Sequence, residues 1–252
     1  MKFFAIIPAR YNSTRFPGKP LANIMGKSMV SRVYHQAISS PKIEAAWIAT
    51  DDERIASHLK EQNIPFIMTS PDHQSGTDRC REAAEKLSQI KADDIVVNIQ
   101  GDEPFISVDQ INLICSCFEN NDKTAIASLV KKLDSLDKIM DPNTVKAVFN
   151  LDMEAVYFSR SPIPFVRDCD PEQWITKQDF FKHLGIYAYR KNNLIEISNL
   201  PQSDLELAES LEQLRWLSNG YKIQLAITEE EAFSIDHPSD LEDAITYLKS
   251  KK

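Results

Sequence analysis

Short apolar runs alternate along this chain with helical patterns, and that alternation limits the fold more than any other feature. Phe3 to Ile7 reads as a strand, and Met29, Val33, Ala37 and Ile38 follow helical spacing from about Ser28. Ala46 to Thr50 is the next strand. A helix follows it, opened by Thr50-Asp51-Asp52-Glu53, where Thr and Glu three apart make a capping-box pattern. Pro65 to Met68 and Asp94 to Gln100 read as further strands, separated by the polar segment Ser70 to Arg79 and a helix through Leu87. Strands joined through helices require crossover connections, which predicts an α/β fold with a mostly parallel central sheet flanked by helices. At 252 residues and 42% hydrophobic content, the chain can bury such a core as a single domain, 1–252.

The second half is less regular. Ser107 and Gln110 have capping-box spacing, and Val108, Ile111, Ile114, Cys115 and Phe118 form the apolar face of the helix they open. Val145 to Phe149, Ala155 to Phe158 and Leu184 to Tyr189 read as strands, with a polar insert, Asp168 to Asp179, between the last two. About 125–190 is therefore read as a smaller antiparallel excursion, which supplies either a lid or a dimer surface. Ser203-Asp-Leu-Glu206 then caps a helix in which Leu207, Leu211, Leu214 and Leu217 face inward and Gly220 is the stop. A strand at Lys222 to Ile227 and a last helix capped by Ser239 with Glu242 complete the pattern, without internal repeats.

The net charge of -8 argues against a nucleic-acid surface or an anionic membrane as partner. Cys80, Cys115, Cys117 and Cys169 show neither metal-ligand spacing, beyond the lone Cys115-Ser116-Cys117, nor a disulfide framework, so reduced structural thiols are expected. No apolar run has the length of a membrane span or the form of a secretory leader, and the expected location is cytoplasmic.

Against that acidic background, Ile6 to Leu21 is a local exception. The loop leaving the first strand interleaves Arg10, Arg15 and Lys19 with Pro8, Pro17, Gly18 and Pro20. Prolines stiffen a loop, glycine lets its backbone approach a ligand, and open α/β sheets bind ligands at this edge, so the stretch suits a polyphosphate. Basic loops are also commonly just solvated faces. Gly26-Lys27-Ser28 looks like the end of a P-loop, but position 21 is leucine where that motif needs glycine. Asp102 and Asp236 each follow an apolar strand and precede a helix. They can be read as holders of Mg²⁺, which takes one or two carboxylates and completes its shell with water and phosphate, or as helix N-caps. His73 and His183 can be acids, bases or ligands, or simply hydrogen-bonding residues.

Seven motifs occur in order: Ile-Pro-Ala-Arg-Tyr-x-Ser-Thr-Arg-x-Pro-Gly-Lys-Pro-Leu from Ile7, Ala-Thr-Asp-Asp from Ala49, His-Gln-Ser-Gly-Thr-Asp-Arg from His73, Asn-Ile-Gln-Gly-Asp-Glu-Pro from Asn98, Tyr-Phe-Ser-Arg from Tyr157, His-Leu-Gly-Ile-Tyr-Ala-Tyr-Arg from His183 and Leu-Glu-Gln-Leu-Arg from Leu211. Together they resemble the 3-deoxy-manno-octulosonate (Kdo) cytidylyltransferase, or CMP-Kdo synthetase, family over about Phe3 to Leu241. Phe16 stands where Leu is usual, and His237 stands where Thr is usual after the aspartate. The resemblance implies a Rossmann-like nucleotidyltransferase fold and an enzyme joining CTP and Kdo into CMP-Kdo and pyrophosphate for lipopolysaccharide biosynthesis, with Mg²⁺ and as a homodimer. It implies that Arg10, Ser13, Arg15, Lys19, Gln74, Ser75 and Arg79 bind the nucleotide. Gln100, Arg160, His183, Tyr187, Glu212 and Gln213 fall near the acidic sugar, Asp102 and Asp236 hold the metal, and Arg10, Lys19 and Asp102 act directly in catalysis. Alternatives are activation of amino-Kdo or a sialic acid, or nucleotide binding without turnover.

Overall fold

In a computed structural model, which describes residues 1–12, 16–231, 235 and 237–250, the chain opens with β1 (Phe3–Ala9). A short hairpin follows, β2 (Asn23–Ile24) and β3 (Lys27–Ser28), then α1 (Met29–Ser39), β4 (Ile43–Thr50), α2 (Glu53–Glu61), β5 (Phe66–Met68), α3 (Gly76–Lys86), β6 (Ile95–Asn98) and α4 (Val108–Glu119). Beyond these lie β7 (Ile126–Lys132), α5 (Leu136–Met140), β8 (Lys146–Phe149), β9 (Ala155–Ser159), α6 (Trp174–Lys177) and β10 (Phe181–Arg190). The chain ends with α7 (Lys191–Ser198), α8 (Asp204–Glu209), α9 (Gln213–Ser218), β11 (Ile223–Ile227) and α10 (Asp240–Ser250). It packs as two units: Met1–Cys115 with Ala188–Ser198 and Ala232–Lys252, and Ser116–Tyr187 with Asn199–Glu231. Among the described residues no helix is long and apolar enough to cross a membrane.

The first unit is the parallel α/β layer expected from the alternation. β1 lies between β4 and β6, parallel to both, and β5 pairs parallel with β4. Ile6, Ile7, Ile48, Val96 and Val97 are fully buried. Consecutive rather than alternating burial is what a sheet covered on both faces demands, and it explains the unbroken apolar runs in these strands. Ser28 caps α1, and the P-loop look-alike before it is a hairpin whose turn residues, Met25 and Gly26, both have positive φ. The cap of α2 is Asp52 rather than the expected Thr50: its carboxylate accepts the Arg54 amide at 2.9 Å, while Thr50 is still the last residue of β4. Ser107 and Gln110 form the expected box at α4, each side chain accepting the other's amide, at 3.0 and 3.1 Å.

The second unit contains the antiparallel pairs: β8 with β9 and β10 with β8, while β11 runs parallel to β7. The polar insert folds around one aromatic side chain. Trp174 stacks on Phe180 at 5.9 Å between centroids, donates Nε1–H to the Cys169 carbonyl at 3.1 Å, and joins Leu133 and Ile139 in a small core. All four cysteines are thiols, with Cys80, Cys115 and Cys117 buried.

The long helix expected from Leu207 to Leu217 is two helices. Ser203 and Glu206 make the capping box of α8, but Ser210 adopts a left-handed φ of 52° and ends it. Leu207 is therefore 60% exposed, whereas Leu211 and Leu214 are buried. The break turns α9 back, so that Arg215 grips Glu206 in a bidentate pair, Nε to Oε2 at 2.8 Å and Nη2 to Oε1 at 2.5 Å. The two side chains are only 11% and 7% exposed. Burial pushes the Glu206 carboxyl up, but Arg215 outweighs it and holds the group below the usual carboxylate range. Removing one partner of such a pair strands a buried charge. Arg215→Ala is accordingly expected to destabilise the protein by about 3–5 kcal/mol, read as a lowered urea midpoint, and Lys at this position recovers only part of the loss because it lacks the planar fork.

Candidate active site

Parallel pairing brings the carboxyl ends of β1, β4, β5 and β6 to one edge, with Ala9 opposite Thr50 and Thr50 opposite Met68. Arg10, Asp51, Thr69 and the segment from Ile99 to Asp102 leave the sheet there. A cleft opens at this edge, lined by Pro8, Ala9, Arg10, Lys19, Pro20, Ser75, Gly76, Arg79, Gln100, Gly101 and Asp102. Its floor depends on a missing side chain. A Cβ on Gly101 would stand 2.6 Å from the Pro8 carbonyl oxygen, so only glycine lets the chain leaving β6 cross this close to β1.

The basic loop folds over one side. The Gly18 amide donates to the Tyr11 carbonyl at 2.9 Å, and the Arg54 guanidinium covers the Tyr11 ring at 3.3 Å from its centroid. Lys19 follows, buried to 8% exposure, with Nζ 2.7 Å from Asp102 Oδ2. On the other side, Ser75 caps α3 by accepting the Asp78 amide at 3.1 Å, so the amino terminus of an eleven-residue helix meets the cleft. Such an end attracts anions through unpaired amides and the helix dipole. Arg79 reaches the cleft wall but is engaged elsewhere: its guanidinium pairs with Asp51 at 3.0 Å and donates to the Thr69 hydroxyl at 2.5 Å. Burial lowers its pKa and Asp51 partly offsets that. It fastens α3 to the ends of β4 and β5.

Six of the expected residues, Arg10, Lys19, Ser75, Arg79, Gln100 and Asp102, thus converge on one cleft. Gln74 is exposed, its amide on the Asp72 carbonyl at 3.0 Å, and it is not among the lining residues. Ser13, Arg15 and Asp236 lie outside the described residues. Ile235, directly before Asp236, donates its amide to the Asp102 carbonyl at 3.0 Å.

Arg160, His183, Tyr187, Glu212 and Gln213 lie in the second unit. Arg160 donates Nε–H to the Glu209 carbonyl at 2.7 Å and Nη1–H to the Pro142 carbonyl at 2.9 Å. The His183 ring packs between Phe158 and Tyr187, at 5.1 and 5.2 Å, and its Nε2 is 2.9 Å from the Ser128 hydroxyl. Withdrawal from water lowers its pKa to about 3, so the imidazole is neutral. Tyr187 stands edge-on to Trp216 at 5.0 Å, and burial, with Glu212 adding to it, raises its phenol well above the ordinary value. Gln213 is buried, and among the described residues its Nε2 has no hydrogen-bond partner. Ser128 and Trp216 carried no sequence signal; Gly76 and Gly101 did, since both fall inside the motifs.

A strand-edge cleft that combines two cations, a helix amino terminus and an aspartate defines a class, the α/β enzymes that work on nucleotide phosphates. The cytidylyltransferase family matches residues 4–223. The 3-deoxy-manno-octulosonate cytidylyltransferases of Parabacteroides distasonis and Bacteroides thetaiotaomicron are each 51% identical, with both chains covered in full. The solved structure of CMP:2-keto-3-deoxy-manno-octonic acid synthetase complexed with CTP matches at a TM-score of 0.92 and 38% identity over the whole of each chain. A cytidylyltransferase from Leptospira borgpetersenii, 15% identical at a TM-score of 0.62 over 100% of this chain and 95% of its own, shares the fold alone. The chain belongs to the 3-deoxy-manno-octulosonate cytidylyltransferase family.

His183 gives a pH signature. Its folded pKa of about 3 lies below the ordinary 6.5, so the unfolded chain binds the extra proton between those values. Stability from this group is complete above pH 6.5 and is lost as pH falls toward 3. Urea midpoints measured from pH 7.5 to 4.5 are expected to fall, by up to about 1.4 kcal/mol per pH unit from this residue, and more gently in His183→Gln.

Proposed function

We propose that this chain transfers the cytidylyl group of CTP to the anomeric hydroxyl of Kdo, giving CMP-Kdo and pyrophosphate. The observation that carries the reading is the cleft itself, which Arg10, Lys19, the amino terminus of α3 and Asp102 line together. Arg10 and Lys19, with Arg15, hold the triphosphate and offset the charge that grows on the departing pyrophosphate. Ser13 also binds the nucleotide, and Gln74, Ser75 and Arg79 serve its nucleoside side, Arg79 by fixing the cleft wall.

Asp102 and Asp236 suit Mg²⁺. The Asp102 carboxylate lines the cleft beside a cation it already attracts, and Ile235, the residue before Asp236 in sequence, donates its amide to the Asp102 carbonyl. When bound, the metal supplies charge neutralisation and a lowered pKa for a hydroxyl beside it. The protein's own share is positioning: it places the sugar hydroxyl in line with the α-phosphorus and keeps the phosphates still. A His183 imidazole with a pKa of about 3 is too weak a base for neutral pH, so it serves as a hydrogen-bonding group, and no side chain is assigned as base. Gln100, Arg160, His183, Tyr187, Glu212 and Gln213 are assigned to the acidic sugar. The buried, unanswered Nε2 of Gln213 supports this, because it is a donor suited to a sugar hydroxyl.

The reading extends to a cytoplasmic homodimer that supplies lipopolysaccharide assembly. Light scattering is expected to give twice the 28.7 kDa chain mass. The decisive assay is pyrophosphate release from CTP, Kdo and Mg²⁺ by the purified protein, with amino-Kdo and a sialic acid in parallel. Release with Kdo is expected, whereas CTP binding without release would leave only a nucleotide-binding protein. Asp102→Asn is expected to cut turnover roughly a hundredfold or more, and Arg15→Ala far less. Equally mild effects would reduce Asp102 to a turn residue.

A further inference from the structure

Glu82 is not among the residues that line the cleft, yet it fastens the loop that enters it. It lies on α3, two turns beyond Ser75. Its Oε2 accepts the Ser70 amide at 2.8 Å and also meets His73 Nε2. Its Oε1 takes the Lys86 ammonium at 2.7 Å, and the same ammonium donates to the carbonyl of Met68, the last residue of β5, at 2.7 Å. One turn earlier on the helix, Arg79 donates to the Ser70 carbonyl at 3.4 Å. Both backbone groups of Ser70 are therefore held by α3, the amide by Glu82 and the carbonyl by Arg79.

His73 and Glu82 meet with side chains only 12% and 20% exposed, where a charge-assisted contact is stronger than at an open surface. Burial alone would raise the Glu82 carboxyl, but Lys86, the Ser70 amide and His73 together hold it at about 2. It is a carboxylate at every working pH. From these anchors the loop runs on through Gln74 to Ser75 and Gly76, the latter two at the cleft.

We infer that Glu82 is a positioning residue for the nucleotide: through Ser70 and His73 it fixes the path of residues 70–75, and with it the place of Ser75 and Gly76 at the cleft. This rests on the nucleotide reading of the cleft. A loop fixed in advance has less freedom to lose when ligand arrives, so loosening it weakens binding more than it slows the chemistry. Losing a charge-assisted bond corresponds to roughly tenfold in affinity.

The test is calorimetric titration of CTP into the wild-type protein, Glu82→Gln, His73→Gln and the double variant, with steady-state kinetics alongside. Both single variants are expected to raise the Kd and KM for CTP, Glu82→Gln by roughly tenfold, with kcat within about twofold. The double variant is expected to be no weaker than Glu82→Gln, because the two side chains act through one contact. CTP affinity within about twofold of wild type in Glu82→Gln, a loss in kcat with KM unchanged, or additive losses in the double variant would each overturn the inference. Should Glu82→Gln fail to fold, His73→Gln decides: weakened CTP binding supports the role and unchanged binding refutes it. No CTP binding by the wild-type protein would instead refute the nucleotide reading and this inference with it.

Discussion

The first unit depends on how closely the chain leaving β6 crosses the end of β1. At Gly101 the crossing leaves no room for even one methyl carbon beside the Pro8 carbonyl. That contact sets Asp102 on the same short edge as the basic loop, close enough for Lys19 to reach it at 2.7 Å. A sheet-edge cleft is common to open α/β folds. What makes this one chemical is that two loops of opposite charge are held to one place by the parallel register of β1, β4 and β6.

Two ion pairs in this protein show how exposure sorts charge into scaffold and site. Arg215 and Glu206 are 11% and 7% exposed and share two hydrogen bonds, so the pair is costly to break and fixes α9 on α8. Lys19 and Asp102 are 10% and 35% exposed and make one contact. Water reaches the Asp102 carboxylate and screens the attraction, so this pair contributes less to stability than the buried one. The same logic separates Arg79, locked on Asp51 and Thr69, from Arg10, which stands exposed at the mouth.

The sequence disclosed most of the first unit because its signals are local. The serine cap at position 107 and the continuous burial of Ile6, Ile7, Val96 and Val97 are written in short patterns. The break between α8 and α9 was hidden, since a single left-handed residue at Ser210 leaves the leucine spacing nearly intact. The grouping of α7 with the first unit and of β11 with the second was equally silent, because segments remote in sequence meet only in the folded chain. At the cleft, Arg10, Lys19 and Asp102 stood out by type and place, and the structure brings them together. Arg79 announced a charge but not that Asp51 would take it, and Glu82 looked like one more exposed helix carboxylate. Partners of that kind are set by packing, which no spacing rule carries.

In the proposed reaction the cleft places phosphates, while the Ser75 hydroxyl is engaged in the cap of α3. The proposed reaction is direct displacement on the α-phosphorus by the sugar hydroxyl, with pyrophosphate leaving. The most direct measurement is the stereochemistry at that phosphorus, using CTP with one non-bridging α-oxygen replaced by sulfur in known configuration and Kdo as acceptor. A single in-line attack gives product with inverted configuration. Retention would mean that the cytidylyl group passes first to a side chain of the enzyme, and would contradict a cleft that works by position and charge alone.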